Sequence, residues 1–222
     1  MAGEIVIVSG LPRSGTSMMM RMLSADGMEV AVDNERKADE DNPCGYYELE
    51  QVKQIREDNA WLDELGGKVV KMISMLLFDL PSDRKYKIIF MKRDLNEILA
   101  SQRVMLQRRG EQAAADNPEM ETIFGKHLAE IKKWLGEQPN IEVIYVNYRD
   151  ILDKPLESAG LVARFLGSGR DAEKMASVVD PSLYRQRSSG QGVVPADKGP
   201  ERQADESEKE KIEEQLKALG YM

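Results

Sequence analysis

The chain has 222 residues, of which 41% are hydrophobic and 32% are charged, and it carries a net charge of −8. This balance is typical of a folded globular protein with a sizeable core, and the negative charge argues against nonspecific binding of nucleic acid. The single cysteine excludes an internal disulfide and suits a reducing compartment. The sequence shows neither a signal peptide nor an apolar run long enough to span a membrane. We therefore expect a cytoplasmic protein with no nucleic-acid or membrane partner.

Short apolar runs alternate along the chain with segments of helical periodicity. The predicted strands lie at 4–9, 68–73, 87–91 and 141–146. The predicted helices lie at 16–25, 48–65, 95–109, 119–136 and 155–167. This order predicts a three-layer α/β fold, in which a mostly parallel central sheet is covered by helices on both faces.

The last quarter of the chain differs in composition from the rest. Residues 188–200 are rich in Gly, Ser and Pro, which predicts a mobile loop. Residues 201–218 carry many Glu and Lys at helical spacing, which predicts a charged C-terminal helix. The apolar residues that would dock this helix are Ile212, Leu216 and Leu219. We expect a single domain over residues 1–222.

The loop between the first predicted strand and the first predicted helix reads LPRSGTS. Gly10 and Gly15 have the spacing of a nucleotide-binding P-loop, but Thr16 stands where that motif places its lysine. A cation is found three residues earlier instead, as Arg13. The fold expected is therefore a P-loop-containing α/β fold whose loop lacks the group that contacts a γ-phosphate.

The same loop predicts an anion site. Backbone amides of residues 13–17, which include Ser14 and Ser17, would surround a phosphate at the positive end of the helix. Asp79 is the candidate for a magnesium partner, but it lies at a predicted helix end rather than at a strand end. The loop thus suits a terminal phosphate without an obvious need for a metal.

The LPRSGTS loop resembles the 5′-phosphosulfate loop of sulfotransferases, especially the protein-tyrosine and bacterial branches. The resemblance implies that the chain binds 3′-phosphoadenosine 5′-phosphosulfate (PAPS). It also implies transfer of the sulfuryl group to an acceptor hydroxyl or amine without a metal, with adenosine 3′,5′-bisphosphate as the product. Arg13 and the loop amides would hold the leaving 5′-phosphate. Positioning and charge stabilisation dominate such a transfer.

Three later segments extend the resemblance to about residue 187. KIIFMKRDLNEILASQ is similar to the family's 3′-phosphate element, with Arg93 and Ser101 eight residues apart. IEVIYVNYRDILDKPLESAGLVARFLG is similar to a later strand and helix, and it puts Tyr148 where relatives place a tyrosine beside the adenine. In DPSLYRQR, Arg185 or Arg187 would complete the 3′-phosphate site, because a planar guanidinium makes bidentate phosphate contacts.

Each of these residues also has an ordinary structural interpretation. Arg93 would be a charge at the start of a helix, paired with Asp94 or a surface glutamate. Tyr148 would be packed at a strand end. Arg185 and Arg187 would belong to a solvated basic turn.

The resemblance leaves the catalytic base open between two carboxylates. The family's cytosolic branch carries a catalytic histidine in a Lys-Thr-His run, and the comparable KMI here keeps Lys71 but has Ile73 in place of histidine. Lys71 would meet charge that develops on the transferring oxygens. The only histidine, His127, is predicted at a helix surface or boundary. By similarity to the protein-tyrosine branch we favour Glu35 as the base, with Glu48 as the competitor.

Two other functions remain as alternatives. A P-loop kinase or other NTPase would explain the glycines and the α/β pattern, but it conflicts with Thr16 and leaves Arg93 and Ser101 without a role. A non-catalytic binder of adenosine 3′,5′-bisphosphate would explain the absence of a histidine base. The sequence points to no particular acceptor, whether small molecule, glycan or protein side chain, and to no oligomeric state.

Overall fold

The computed structural model of the protein describes residues 3–33, 35–40, 42, 45–111, 117–183 and 206–222. The strands are β1 (Ile5–Gly10), β2 (Val69–Ile73), β3 (Tyr86–Lys92) and β4 (Ile141–Asn147). The α-helices are α1 (Thr16–Ala25), α2 (Leu95–Arg108), α3 (Met120–Glu137), α4 (Tyr148–Asp153), α5 (Pro155–Leu166), α6 (Ala172–Ser177) and α7 (Glu206–Ala218). The 3-10 helices are Glu50–Gln54, Ala60–Leu65, Ser74–Asp79 and Pro181–Leu183. Within these ranges, no helix is both long and apolar enough to cross a membrane.

The four strands form one parallel sheet in the order β2-β1-β3-β4, which confirms the predicted fold class. Side chains alternate between the two faces of the sheet. Ile5 and Ile7 of β1 belong to a core that includes residues of α2, α3 and α7. Val6 and Val8 belong to a second core, which includes residues of α1, α5 and α6. Both faces are therefore covered, as the continuous apolar runs of the strands require.

The strand order places a crevice at one edge of the sheet. From β1 the chain moves to β2 at one end of the strand order, and from β3 it moves to β4 at the other end, so the order reverses between β1 and β3. Parallel α/β sheets bind ligands at such a switch point, beyond the carboxyl ends of the strands. Here that position lies between the loop after Gly10 and the residues after Lys92.

The segment predicted as one helix at 48–65 is not an α-helix, and this prediction was wrong. It forms two 3-10 helices, Glu50–Gln54 and Ala60–Leu65. Asp58 separates them: its carboxylate accepts the Ala60 amide at 2.9 Å, and its carbonyl accepts the Trp61 indole N–H at 3.0 Å. A short acidic side chain that bonds to the backbone two residues on competes with helical hydrogen bonding.

Of the C-terminal helix predicted at 201–218, the structure describes α7, from Glu206 to Ala218, and residues 201–205 lie outside the described residues. Its predicted docking residues are almost fully buried: Ile212, Leu216 and Leu219. The predicted loop at 188–200 lies outside the described residues.

Candidate active site

The β1–α1 loop forms the N-terminal end of α1. Gly15 caps the helix in the left-handed region, with φ 100° and ψ 15°. The Met19 amide makes the first helical bond, to the Gly15 carbonyl at 3.2 Å. By helix geometry, the amides of Thr16, Ser17 and Met18 then have no acceptor within α1, and they lie at its positive end. This arrangement has the geometry that the predicted anion site requires.

Two close contacts explain the two glycines of the loop. A Cβ at Gly10 would lie 2.5 Å from the Ser14 hydroxyl and 2.8 Å from the Met91 carbonyl oxygen. A Cβ at Gly15 would collide with the ring of Tyr148. The loop therefore fits against β3 and the start of α4 only with glycine at both positions.

Ser14 shapes the loop from inside. It is fully buried, and its amide donates to the Leu11 carbonyl at 3.1 Å. Within the described part of the chain, its hydroxyl has no hydrogen-bond partner. The Ser14 amide, one of the five predicted to surround the phosphate, thus donates its hydrogen bond within the loop.

Three predicted phosphate-binding side chains meet at the crevice. The Arg13 Nε donates to the Ser101 hydroxyl at 3.0 Å, and the Arg93 Nη1 donates to the Arg13 carbonyl at 3.0 Å. Arg13 itself has φ 76°, an uncommon conformation for a residue with a side chain. The hydrogen bonds of Arg13 with Ser101 in α2 and with Arg93, directly after β3, hold the loop in this costly conformation.

Arg93 also pairs with a glutamate, as its ordinary structural interpretation allowed, but this glutamate is buried and not at the surface. Its Nε donates to Glu97 at 3.0 Å, and the exposed fractions of the two side chains are 9% and 5%. The Tyr148 ring lies on the other side, with its centroid 4.6 Å from the Arg93 Cζ. Burial raises the pKa of the Tyr148 hydroxyl. Sequence reasoning missed Glu97, although the i,i+4 spacing to Arg93 was the available signal.

A second group of charges lies beside the loop. The Lys71 ammonium, on β2, donates to the Glu48 carboxylate at 2.9 Å and to the Tyr46 carbonyl. Glu48 also accepts from the Arg36 guanidinium at 3.2 Å. The exposed fraction of the Lys71 side chain is only 4%, and burial lowers the pKa of its amine to about 8. A buried cation thus faces a carboxylate that is shared with a second cation.

The Tyr46 carbonyl joins the two groups. It accepts from Lys71 and also from the Ser17 hydroxyl at 3.3 Å. The Asn42 side chain donates to the same hydroxyl at 2.9 Å. The Lys71–Glu48 pair is therefore joined through one carbonyl to the first turn of α1, where the anion site is predicted.

A protein-family model described as the sulfotransferase domain matches residues 4–215. The chain belongs to the sulfotransferase family. A search of curated protein sequences found no significant match. Among solved structures, this sulfotransferase is similar to one described as "Sulfotransferase Domain from the Curacin Biosynthetic Pathway", with 14% identity and a TM-score of 0.45. That alignment covers 99% of this chain and 98% of the other. Family membership supports a sulfotransferase activity and hence a transferase enzyme.

The two base candidates of this sulfotransferase have different surroundings. Glu48 is bonded to Lys71 and Arg36. Glu35 is exposed, its amide donates to the Asp33 carboxylate at 3.0 Å, and it lines a surface depression that Arg36 also borders. The structure therefore brings the Glu48 carboxylate to Lys71 and leaves that of Glu35 at the surface.

The remaining candidates are placed as follows. Arg185 and Arg187 lie outside the described residues of the sulfotransferase. His127 is buried with an exposed fraction of 2%, so its predicted place at a helix surface or boundary was wrong. Its Nε2 lies 2.8 Å from the Ser74 hydroxyl, directly after β2, and the Phe78 ring packs edge-on against it. Burial lowers the pKa of His127 to about 4. The periodicity of α3 does not indicate this burial, because Ser74 and Phe78, which cover His127, lie in a 3-10 helix that is distant in the sequence.

Proposed function

We propose that this sulfotransferase takes its sulfuryl group from PAPS and transfers it, without a metal, to an acceptor hydroxyl or amine. One observation carries the proposal: the Tyr46 carbonyl links the first turn of α1, through Ser17, to the Lys71–Glu48 pair. The predicted anion site and a buried lysine–glutamate ion pair are thus neighbours. Sulfuryl transfer needs a site that holds the donor's phosphate next to a group that can remove the acceptor's proton.

The residues present fit the donor. PAPS carries a 5′-phosphosulfate and a 3′-phosphate, and it supplies the sulfuryl group when bound. The amides at the start of α1 together with Arg13 suit the first of these anions. Arg93, which donates to the Arg13 carbonyl, and Ser101, whose hydroxyl accepts from the Arg13 Nε, suit the second. Tyr148 packs against both Gly15 and Arg93, a position from which its ring would border the adenine.

The chain's own groups would then divide the chemical work. Lys71 would stabilise negative charge beside the anion site, because a buried ammonium acts in a low-dielectric surrounding. We propose Glu48, rather than the exposed Glu35, as the group that takes the acceptor's proton. Glu48 already contacts Lys71 at 2.9 Å, so both would act on the same reacting centre.

A kinase or NTPase function has less support at this site. Thr16 offers no cation for a γ-phosphate. Asp79 ends the 3-10 helix Ser74–Asp79, and its carboxylate pairs with Arg56 at 3.0 Å. Asp79 is therefore an ion-pair partner at a helix end, and it does not follow a strand, where a magnesium ligand would be expected.

A thermal melting comparison tests the proposal. Adenosine 3′,5′-bisphosphate at a hundred times its dissociation constant, with a chelator present, should raise the melting temperature by about 5–10 °C. Magnesium-ATP at the same concentration should raise it much less. The opposite ranking would favour a kinase. Consumption of radiolabelled PAPS against a library of hydroxyl and amine acceptors then separates an enzyme from a non-catalytic binder.

A further inference from the structure

The turn that follows α7 directs the chain back into the protein. The Tyr221 amide donates to the Leu216 carbonyl at 2.9 Å, and the Gly220 amide donates to the Lys217 carbonyl at 2.9 Å. Gly220 has φ 77°. These two bonds and the left-handed glycine form a Schellman motif, which ends the helix and reverses the chain. Leu216 and Tyr221 are both buried, as is usual for the apolar pair of this motif.

Two arginines from the body of the protein hold this turn. The Arg109 Nη1, after α2, donates to the Ala218 carbonyl at 3.2 Å. The Arg36 Nη2 donates to the Leu219 carbonyl at 3.3 Å. Cations at the C-terminal end of a helix stabilise its last carbonyls. Arg36 is also the partner of Glu48, so one side chain connects the turn to the Lys71–Glu48 pair. We call this pair, with Arg36, Tyr46 and Tyr221 around it, the acceptor side of the proposed site.

Tyr221 lies against the charged pair itself. Its ring centroid is 5.7 Å from the Lys71 Nζ and 5.0 Å from the Arg36 Cζ. The Tyr46 ring lies against the same two cations, at 5.9 Å and 3.6 Å. Two aromatic rings therefore border one pair of cations, and the exposed fraction of Tyr221 is only 8%.

A buried hydrogen-bond chain ties α7 to the phosphate loop as well. The Gln215 side chain donates to that of Gln102 at 3.2 Å, and Gln102 donates to the Pro12 carbonyl at 3.0 Å. Gln102 and Gln215 have exposed fractions of 0% and 5%. Since buried amides are costly when unpaired, α7 is held in one position relative to the loop.

We infer that Tyr221 is a positioning residue of the sulfotransferase site, whose ring shields the Lys71–Glu48 pair from water and fixes its geometry. The inference rests on the proposed function for its catalytic meaning. The family match ends at residue 215, so Tyr221 lies beyond the part of the chain that matches the family model. Helix α7 and the turn after it would then be a part of the acceptor side.

The titration of Lys71 reports on this shielding without any acceptor. Burial is the main cause of its lowered pKa of about 8; Glu48 opposes the lowering, and Arg36 and Arg13 add to it. Removal of the Tyr221 ring admits water to the amine, which relieves the penalty on its charged form. The midpoint of the titration should then move from about 8 towards the ordinary value of 10.5.

The experiment follows the Hε–Cε NMR signal of Lys71 in full-length protein labelled with ¹³C-lysine, with the signal assigned by Lys71→Met. We expect Tyr221→Leu to raise the midpoint and Tyr221→Phe, which keeps the ring, to leave it unchanged. Tyr145→Leu removes a ring that packs on Phe90 in the same core, and as a control it should leave the midpoint unchanged. An unchanged midpoint in folded Tyr221→Leu overturns the inference, as does an equal rise in Tyr145→Leu.

Hydrogen exchange of the wild-type protein keeps the inference testable if Tyr221→Leu does not fold. The Tyr221 amide should be protected as strongly as the amides in the middle of α7, and unprotected exchange there overturns the inference. Calorimetry with adenosine 3′,5′-bisphosphate separates this result from the proposed function. If the wild-type protein does not bind this nucleotide, the proposed function is refuted. The titration midpoint of Lys71 would still show whether the Tyr221 ring shields the amine.

Discussion

The two sides of the site are built in different ways. The phosphate side consists of the loop after β1, the residues after β3 and one side chain from α2, so its parts lie directly at strand ends. The acceptor side brings together Arg36, Tyr46, Glu48, Lys71 and Tyr221. Its parts come from an irregular segment, one strand and the turn after α7. The first side is set by the sheet topology, and the second depends on docking of segments that are distant in the sequence.

Their charges differ in the same way. On the phosphate side, Arg13 bonds to a hydroxyl and lies beside the positive end of α1, an arrangement that suits an incoming anion. On the acceptor side, the Lys71 and Arg36 cations share the Glu48 carboxylate and are covered by two aromatic rings. We therefore expect changes on the first side to alter nucleotide affinity, and changes on the second to alter turnover.

The largest expected effect is on the acceptor side. Glu48→Gln should lower turnover by about 100- to 10,000-fold, because the amide cannot take the acceptor's proton. Nucleotide binding should stay near the wild-type level. The measurement is sulfate transfer from PAPS, with Glu35→Gln as the matched control. Loss of activity only in Glu35→Gln would transfer the role to Glu35, and full activity in both would leave Lys71 or an acceptor that needs no base.

Acid should destabilise the fold through His127, whose Nε2 lies 2.8 Å from the Ser74 hydroxyl, directly after the strand that carries Lys71. The folded pKa of about 4 lies below the ordinary 6.5, so the unfolded chain binds more protons between these values. Stability from this group is present above pH 6.5 and is lost as pH falls towards 4, by up to roughly 3 kcal/mol. Chemical denaturation across this range should show a smaller loss for His127→Gln than for the wild type. Equal slopes would contradict the burial of His127.

The phosphate side predicts a change in nucleotide preference. The double change Arg93→Ala with Ser101→Ala should remove most of the preference for adenosine 3′,5′-bisphosphate over adenosine 5′-phosphate. The expected loss is about 10- to 100-fold in affinity for the bisphosphate, since a charge-assisted contact contributes ~1.5–3 kcal/mol. Arg103→Ala, on the exposed side of α2, is the matched control for calorimetry. If the double variant retains the wild-type preference, these residues do not bind the 3′-phosphate.

Gly15→Ala should destabilise the protein by about 1–3 kcal/mol, since a side chain is strained at φ 100° and would collide with Tyr148. Gly125→Ala provides the control, because Gly125 lies in α3 and an added Cβ there would meet no atom within 4 Å. This change should stabilise the protein by about 0.5–1 kcal/mol. Both values follow from denaturant unfolding. Equal stability of the two variants would show that the loop tolerates a side chain at Gly15.

The same contrast explains how much could be predicted from the sequence. The strands, α1 and α2 follow from local periodicity. The family resemblance of their motifs, and not periodicity, assigns Arg13 and Ser101 to one nucleotide site. The pairing of Lys71 with Glu48, the cover from Tyr221 and the Gln102–Gln215 bond could not be predicted. These contacts join residues 23 to 150 positions apart in the sequence. Glu48 and Tyr221 lie in irregular segments, where periodicity carries no information, and the Gln102–Gln215 bond depends on how two distant helices pack, which periodicity does not specify.

Calorimetric titration of the wild-type protein with two nucleotides tests the central claim most directly. Adenosine 3′,5′-bisphosphate and adenosine 5′-phosphate are compared in the presence of a chelator. The account predicts that the bisphosphate binds at least about tenfold more tightly, because Arg93 and Ser101 would contact its additional phosphate. Equal affinity for the two nucleotides would contradict the PAPS-dependent function.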